Sequence, residues 1–373
     1  MPESKRPRIL LLIPHLGGGG AEHVIALLAC LLDRHKYEVH LGLVTRADRG
    51  DRRLPAWITV HHLNARRVRA SAWRLVRLVW HVRPAVILSG IAHLNLLVLW
   101  LRPLFPPGVH LLVRQNGSPL AMLTALGRPS LSRFFYRIAY QRADGIICQT
   151  PSMANELSHD LGIKLTRTRV LPNPVDIESI RSTAEQAASP WRTTGPRLLA
   201  VGRLVPEKGF DLLIAAFASV SRQFPGAELV IAGRGPSESS LKTQCRNAAL
   251  EDLVRFVGHL PSPAEYFSDA SLFVLSSRDE GLPNALIEAA AADLPIAALP
   301  ASRGIAELLD AKPGVWLGAD VSVSELERIL CEALSSIGPG QRFSHAWIEP
   351  FDAKVAIRAY EDVFDRLLQE HPR

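Results

Sequence analysis

Cysteine is scarce and unpatterned: the 373 residues hold four, Cys30, Cys148, Cys245 and Cys331, with no paired spacing. That scatter argues against a disulfide framework or a zinc site and fits a reducing compartment, so a cytoplasmic location is expected. Long apolar runs are also lacking. The most apolar later stretch, LNLLVLWLRPLF, is broken by Arg102 and Pro103 well short of a span, so no transmembrane helix is expected. Near the start, ILLLIPHL follows basic residues, yet it is short, contains Pro14 and His15 and runs straight into glycines. It reads as a first buried strand rather than a signal segment. The dinucleotide fingerprint is missing too: its glycines fall at i, i+2 and i+5, and the last offset lands on Glu22 from Gly17 and on His23 from Gly18. This counts against a nucleotide-dependent oxidoreductase. The Gly-Lys-Ser/Thr of a Walker-type loop is absent, as are internal repeats and low-complexity tracts.

What is present is length, apolar content and alternation. A chain of 373 residues that is 47% hydrophobic is long for one core and predicts two domains. Short β-rich runs alternate with helical stretches: RILLLIP, YEVHLGLVT, AVILSG, HLLVRQN and DGIICQT, then RLLAVGR, AELVIAG, LVRFVGH, ASLFVLSS and LPIAAL. Several are near-continuous apolar runs, as in parallel strands covered on both faces, and the rhythm predicts two doubly wound α/β domains. We place them at 1–178 and 190–345, with a Pro-, Ser- and Thr-rich linker near 175–195 and a cleft between them. The closing segment, 350–373, has helical spacing and is expected to pack back on the first domain. Charge divides the same way. Residues 1–180 carry 24 Lys and Arg against 11 Asp and Glu, a balance of +13, and residues 181–373 carry 19 against 25, a balance of −6.

In HLGGGGAEHV, an apolar run, a glycine turn and a helix start in succession form an anion site, because free N–H groups and the helix dipole point the same way. Gly18 and Gly19 are the candidates there, where they let backbone approach a phosphate or an acceptor; a purely structural turn is the alternative. SSRDEGLPNALIEAAAADLPIAAL is more specific. Glu280 lies in a loop after a strand, Gly281 and Leu282 make a turn, Pro283 suits a first helical turn, and Asn284 opens a helix that carries Glu288 little more than one turn in. Two carboxylates flanking a helix N-terminus can grip a polyhydroxyl group, a phosphate and a second polyhydroxyl group, which is the order of sugar, diphosphate and ribose in a nucleotide-sugar. Arg203 and Lys208 in AVGRLVPEKGF supply cations against the negative charge of a departing nucleoside diphosphate. An exposed helix carboxylate is the alternative reading of Glu288, and a surface pair that of Arg203 and Lys208.

EGLPNALIE resembles the E-x7-E motif of retaining glycosyltransferases of family 4, which have the GT-B fold: two Rossmann-like domains facing a central cleft. AVGRLVPEKGF resembles the family's Gly-Arg-Leu and Glu-Lys-Gly-Phe stretch, and GGAEHV, VLPNPVD, IAGRGP and VRFVGH match weaker patterns in the family's order. The resemblance implies transfer from a nucleotide-sugar, expected to be a UDP-sugar, with retained anomeric configuration. It assigns Glu280, Arg203 and Lys208 to catalysis, with Glu280 at the transferred sugar. Gly18, Gly19, Arg203, Lys208, Gly281, Leu282, Pro283, Asn284 and Glu288 bind the donor, with Glu288 at the ribose. No Asp-x-Asp occurs, so neither metal nor cofactor is expected.

The first half departs further from the family. His93 in SGIAHLNLL and Asn116 after HLLVRQ are the acceptor candidates; Gln115 stands where relatives have His, so that histidine's role does not carry over, and His23 replaces a usual Arg or Lys. The Arg66–Pro84 stretch sets Arg67, Arg74, Arg77 and His81 on one helical face and Val68, Ala72, Leu75 and Val79 on another, with Trp73 and Trp80 two turns apart; RFFYRIAYQR repeats the basic, aromatic character. A helix packed on its own sheet explains the pattern as well as an anionic membrane surface does. We expect a peripheral enzyme on the inner membrane face, acting on a saccharide or polyprenyl-linked acceptor in surface polysaccharide or glycolipid assembly, with no nucleic acid partner. A non-catalytic sugar-nucleotide-binding module is the rival.

Overall fold

The computed structural model describes residues 6–17, 19–45, 54–119, 123, 129–260 and 262–370. The chain forms two compact units, Met1–Pro174 with Ala353–Arg373, and Val175–Asp352.

Unit 1 is built on β1 (Arg8–Ile13), β2 (Glu38–Thr45), β3 (Thr59–Ala65), β4 (Val86–Ser89), β5 (His110–Arg114), β6 (Gly145–Cys148) and β7 (Thr168–Val170). Their order across the sheet is β3-β2-β1-β4-β5-β6-β7, and every pairing is parallel. Parallel sheets need cover on both faces. β1 shows how the sequence meets that demand: Leu10 and Leu12 enter one core with the helices Ala72–Val82, Ala92–Leu101 and Pro129–Tyr140. Ile9, Leu11 and Ile13 enter the other, which holds Val24, Ile25 and Leu28 of the Gly20–Leu31 helix and Ile357, Tyr360 and Phe364 of the C-terminal helix Ala353–Glu370. Tyr37 Oη also donates to Asp365 on that last helix, at 2.6 Å. ILLLI is thus a buried central strand.

Unit 2 contains β8 (Arg197–Val201), β9 (Glu228–Ala232), β10 (Val254–Gly258), β11 (Leu272–Leu275), β12 (Ile296–Ala298) and β13 (Val315–Leu317), ordered β10-β9-β8-β11-β12-β13 and again all parallel. Leu198, Ala200, Leu229 and Val274 face one core, and Leu199, Val230, Phe273 and Leu275 the other. The stretch read as a linker near 175–195 contains a helix of 10 residues, Ile177–Gln186. Asp176 caps it by accepting from Ser179 N at 3.0 Å, and Ile177, Ile180 and Ala184 pack against the second core. Its polar composition reflects a mostly exposed helix. Val175 and Asp352, where the chain enters and leaves this unit, form a parallel bridge, with Val175 N donating to Phe351 O at 2.8 Å.

Three strands, β3, β7 and β13, have no counterpart among the apolar runs. Each is a sheet edge with partly exposed residues, so the continuous apolar signal that marks a doubly covered strand is absent.

Candidate active site

In unit 2 the strand order reverses between β8 and β11, and open parallel sheets bind ligands where loops diverge from such a point. The loop after β8 carries Arg203 and Lys208; the loop after β11 carries Glu280. The fold brings the last two together: Lys208 Nζ pairs with Glu280 Oε1, and Ser277 Oγ donates to the same oxygen at 2.8 Å. The pair is partly shielded, with the Glu280 side chain 11% exposed and that of Lys208 24%. Arg203 stands exposed on the same loop as Lys208.

Several contacts hold the two loops in register. Ser276 Oγ donates to Lys208 O at 3.0 Å and Arg278 N to Glu207 O at 2.7 Å. The Arg278 guanidinium grips both oxygens of Asp211, at 2.7 and 2.6 Å, and reaches Pro206 O. Hydrogen bonding to Arg278 holds the Asp211 carboxyl below its ordinary pKa and raises that of the guanidinium. Gly209, at φ +61°, sits so close to the β11 loop that a Cβ would lie 2.0 Å from Ser276 O. Gly233 does the same beneath Arg203: at φ +150° its Cβ would fall 1.8 Å from Gly202 O. Leu204, fully buried, anchors that loop and donates its N–H to Arg234 O at 3.0 Å. Asp279, beside the pair, has its carboxyl pKa raised by desolvation and by Glu280 and Glu207, with Lys208 opposing.

After Glu280 the chain makes the foreseen turn. Gly281, Leu282 and Pro283 are buried, and the helix Asn284–Ala291 begins with Pro283 in the N-cap position, which offers no capping side chain. That helix starts four residues after Glu280, so its positive dipole end follows the ion-paired carboxylate closely along the chain. Glu288 lies half-buried in the second turn of that helix.

In unit 1 the order reverses between β1 and β4. Gly19, exposed, is the N-cap of the Gly20–Leu31 helix, whose first turn holds Glu22; Gly18 lies outside the described residues. His93 is exposed on the helix after β4, and neighbouring atoms desolvate its ring enough to lower the pKa, with Glu22 opposing. Asn116 is differently placed. Its Nδ2 donates to Gly90 O, and its Oδ1 accepts from Arg114 Nη1 and, at 3.3 Å, from Gln149 Nε2. Arg114 is wholly buried and also donates to Asn173 Oδ1. Gln115 is buried as well, its Oε1 accepting from the Tyr136 and Tyr140 hydroxyls at 3.0 Å each.

Sequence reasoning missed Ser277, Gly209, the Asp211–Arg278 clamp and Arg114. Only Gly209, directly after Lys208, carries a local signal. Among the described residues, no three of His, Cys, Asp and Glu come together in a way that could hold a metal ion.

Residues 18–179 match the model of Glycosyltransferase Family 4, and residues 182–346 that of Glycosyl transferases group 1. The chain belongs to glycosyltransferase family 4. The boundary between the two models lies within eight residues of the unit boundary at 174–175. An uncharacterised glycosyltransferase from Methanocaldococcus jannaschii is 30% identical over 47% of this chain and 44% of its own length. Another uncharacterised one, from Haemophilus influenzae, is 33% identical over 35% of this chain and 36% of its own. The chain thus spans less than half of these relatives. The match to the Campylobacter jejuni N-acetylgalactosamine-N,N'-diacetylbacillosaminyl-diphospho-undecaprenol 4-alpha-N-acetylgalactosaminyltransferase is longer, 26% identical over 80% of this chain and 82% of that protein.

Solved structures agree on the fold of this family 4 chain. Sucrose-phosphate synthase from Thermosynechococcus elongatus superposes with a TM-score of 0.82, at 17% identity, over 98% of this chain and all of that one. Anabaena HepE in complex with UDP-glucose gives 0.75 at 16% identity, over 97% and all of that chain. The fold class is GT-B, with two parallel-sheet α/β domains.

Proposed function

We propose that this family 4 protein transfers a sugar from a nucleotide-sugar, a UDP-sugar, to a lipid-linked or envelope saccharide, without a metal and with retained anomeric configuration. One observation carries the reading: Lys208 and Glu280 meet at a sheet switch point, and Glu280 closely precedes the N-terminus of the Asn284–Ala291 helix. Cleavage of the bond between the sugar C1 and the diphosphate leaves negative charge on the departing oxygen. Lys208, Arg203 and the helix N-terminus offset that charge. Glu280 faces the transferred sugar and stabilises positive charge building at C1, while Glu288 holds the ribose hydroxyls. The acceptor hydroxyl oxygen attacks C1 on the face the diphosphate leaves, and its proton passes to the leaving oxygen. In unit 1 His93 serves the acceptor, the Gly19 backbone binds the donor, and Asn116 positions rather than touches the acceptor.

The UDP-glucose complex of HepE supports a uridine-linked donor, and the diphospho-undecaprenol acceptor named for the Campylobacter relative supports a lipid-linked one. No described helix is long and apolar enough to cross a membrane.

A thermal-shift screen of nucleotide-sugars identifies the donor, because a ligand of the folded state raises the melting point. With that donor, Glu280→Gln lowers kcat by roughly a hundred-fold or more, and the product anomer matches the donor's by NMR. Inversion, or activity lost to chelator and restored by Mg²⁺, overturns the mechanism. Unchanged function of Glu280→Gln in cells would instead mark a non-catalytic binding module.

A further inference from the structure

The helices Ala72–Val82, Ala92–Leu101 and Pro129–Tyr140 turn their inner residues into one core on one face of the unit 1 sheet, so their outer residues share one side of that unit. That side is unusual in two independent ways. First, every exposed Trp or Phe among the described residues lies on it: Trp73 (75% exposed), Trp80, Trp100, Phe134 (59%) and Phe135, with Leu104 beside Trp80, whose Nε1 donates to Leu104 O at 2.9 Å. Trp100 and Phe135 touch across two helices, with ring centroids 6.2 Å apart. Second, the sequence from Arg52 to Ala143, which contains all three helices, has no Asp or Glu and no Lys, and Arg74, Arg77, Arg133 and Arg137 are exposed on those helices.

Aromatic rings and guanidinium groups alternate rather than segregate. Trp73, Arg77 and Trp80 follow one another at intervals of four and three, on a single exposed helical stripe. Arg83 lies over the Trp80 ring at 6.0 Å and Arg142 over Trp100 at 4.6 Å. The dry core of a protein interface is depleted of charge, whereas this pattern fits the headgroup layer of a bilayer. There indole and phenyl rings sit among the acyl ends, and guanidinium groups, which pair with phosphate in bidentate fashion better than ammonium does, reach lipid phosphates.

We propose that this three-helix face of unit 1 docks on an anionic phospholipid bilayer, its aromatic residues inserting shallowly and its arginines pairing with lipid phosphates. The site needs neither donor nor acceptor, so its test stands apart from the transfer reaction. Full-length protein is co-sedimented with vesicles of phosphatidylcholine alone and of phosphatidylcholine mixed with phosphatidylglycerol, at rising salt. Binding is expected on the mixed vesicles only, falling with salt. Neutralising Arg77 (Arg77→Gln) weakens it about five-fold, and so does Arg83→Gln. Trp73→Ser with Phe134→Ser weakens it on the order of ten-fold or more, and circular dichroism shows an unchanged melting point because both side chains are exposed. Equal binding to the two vesicle types, or full binding by the folded double variant, overturns the proposal. So does a lipid-free dimer in analytical ultracentrifugation that Trp73→Ser dissolves, since the face would then serve a second copy of this chain.

Discussion

Unit 2 turns charge outward at its switch point, whereas unit 1 spends its polar groups inward. After β8 and β11 the side chain of Arg203 stands exposed, that of Lys208 is 24% exposed and that of Glu280 only 11%, on loops held by the Arg278–Asp211 pair and by close backbone approach at Gly209 and Gly233. After β4, β5 and β6 the amides of Asn116 and Gln115 and the Arg114 guanidinium bond to one another, to Asn173, to tyrosines and to backbone. One sheet plan thus yields two kinds of end: an ionic one suited to a charged leaving group, and a hydrogen-bonded lattice that fixes loop shape. The difference follows from chemistry. An ammonium on a partly shielded loop can exchange one anionic partner for another, whereas a buried guanidinium depends on hydrogen-bond partners supplied by the protein.

The contrast can be broken or sharpened by substitution. Gly209→Val has the largest expected effect, because it forces a β-branched side chain into a left-handed backbone against Ser276 O. We expect a loss on the order of 3 kcal/mol, read as a lower denaturant midpoint, together with lost donor affinity; an unchanged midpoint would mean the loops are not clamped there. Asn116→Ala comes next. It strips an acceptor from the buried Arg114 and should cost about 1–3 kcal/mol of stability while leaving nucleotide binding as it was; a normal midpoint with a raised acceptor KM would instead make Asn116 a contact residue.

The smallest effect concerns acid. His40 Nδ1 and His61 Nε2 lie 3.0 Å apart in unit 1, with Glu38 on the far side of His40 and Arg8, His62 and His81 nearby. Burial, chiefly, holds both imidazole pKa values below the ordinary 6.5, with Glu38 opposing at His40. The unfolded chain therefore takes up protons first: this contribution is complete above pH 6.5 and is lost as pH falls through the depressed folded values. His61→Asn should make the fall of stability below pH 6.5 shallower in thermal melts, and an identical pH profile would remove the pair from the account.

What was legible in the sequence depended on distance along the chain. Strands covered on both faces announce themselves as apolar runs, which marks β1, β2, β4 to β6, β8, β9, β11 and β12; of the edge strands, β10 shows through its LVRFVGH run, while β3, β7 and β13 do not. Glu280, the turn and Glu288 lie within nine residues, and their spacing alone sets one carboxylate before a helix and one upon it. Ser276 on Lys208 and Arg278 on Asp211 gain meaning only when β8 and β11 become neighbours, which joins residues 68 and 67 apart. A motif position makes Asn116 an acceptor candidate but cannot reveal that Arg114, two residues earlier, is buried and donates to it.

The most direct test of the central claim is a calorimetric titration of UDP into wild-type protein, Lys208→Ala and Asn116→Ala. If the ionic switch point of unit 2 holds the diphosphate, Lys208→Ala weakens binding about ten-fold or more and Asn116→Ala matches wild type. Undiminished affinity in Lys208→Ala, or an equal loss in both variants, would contradict it.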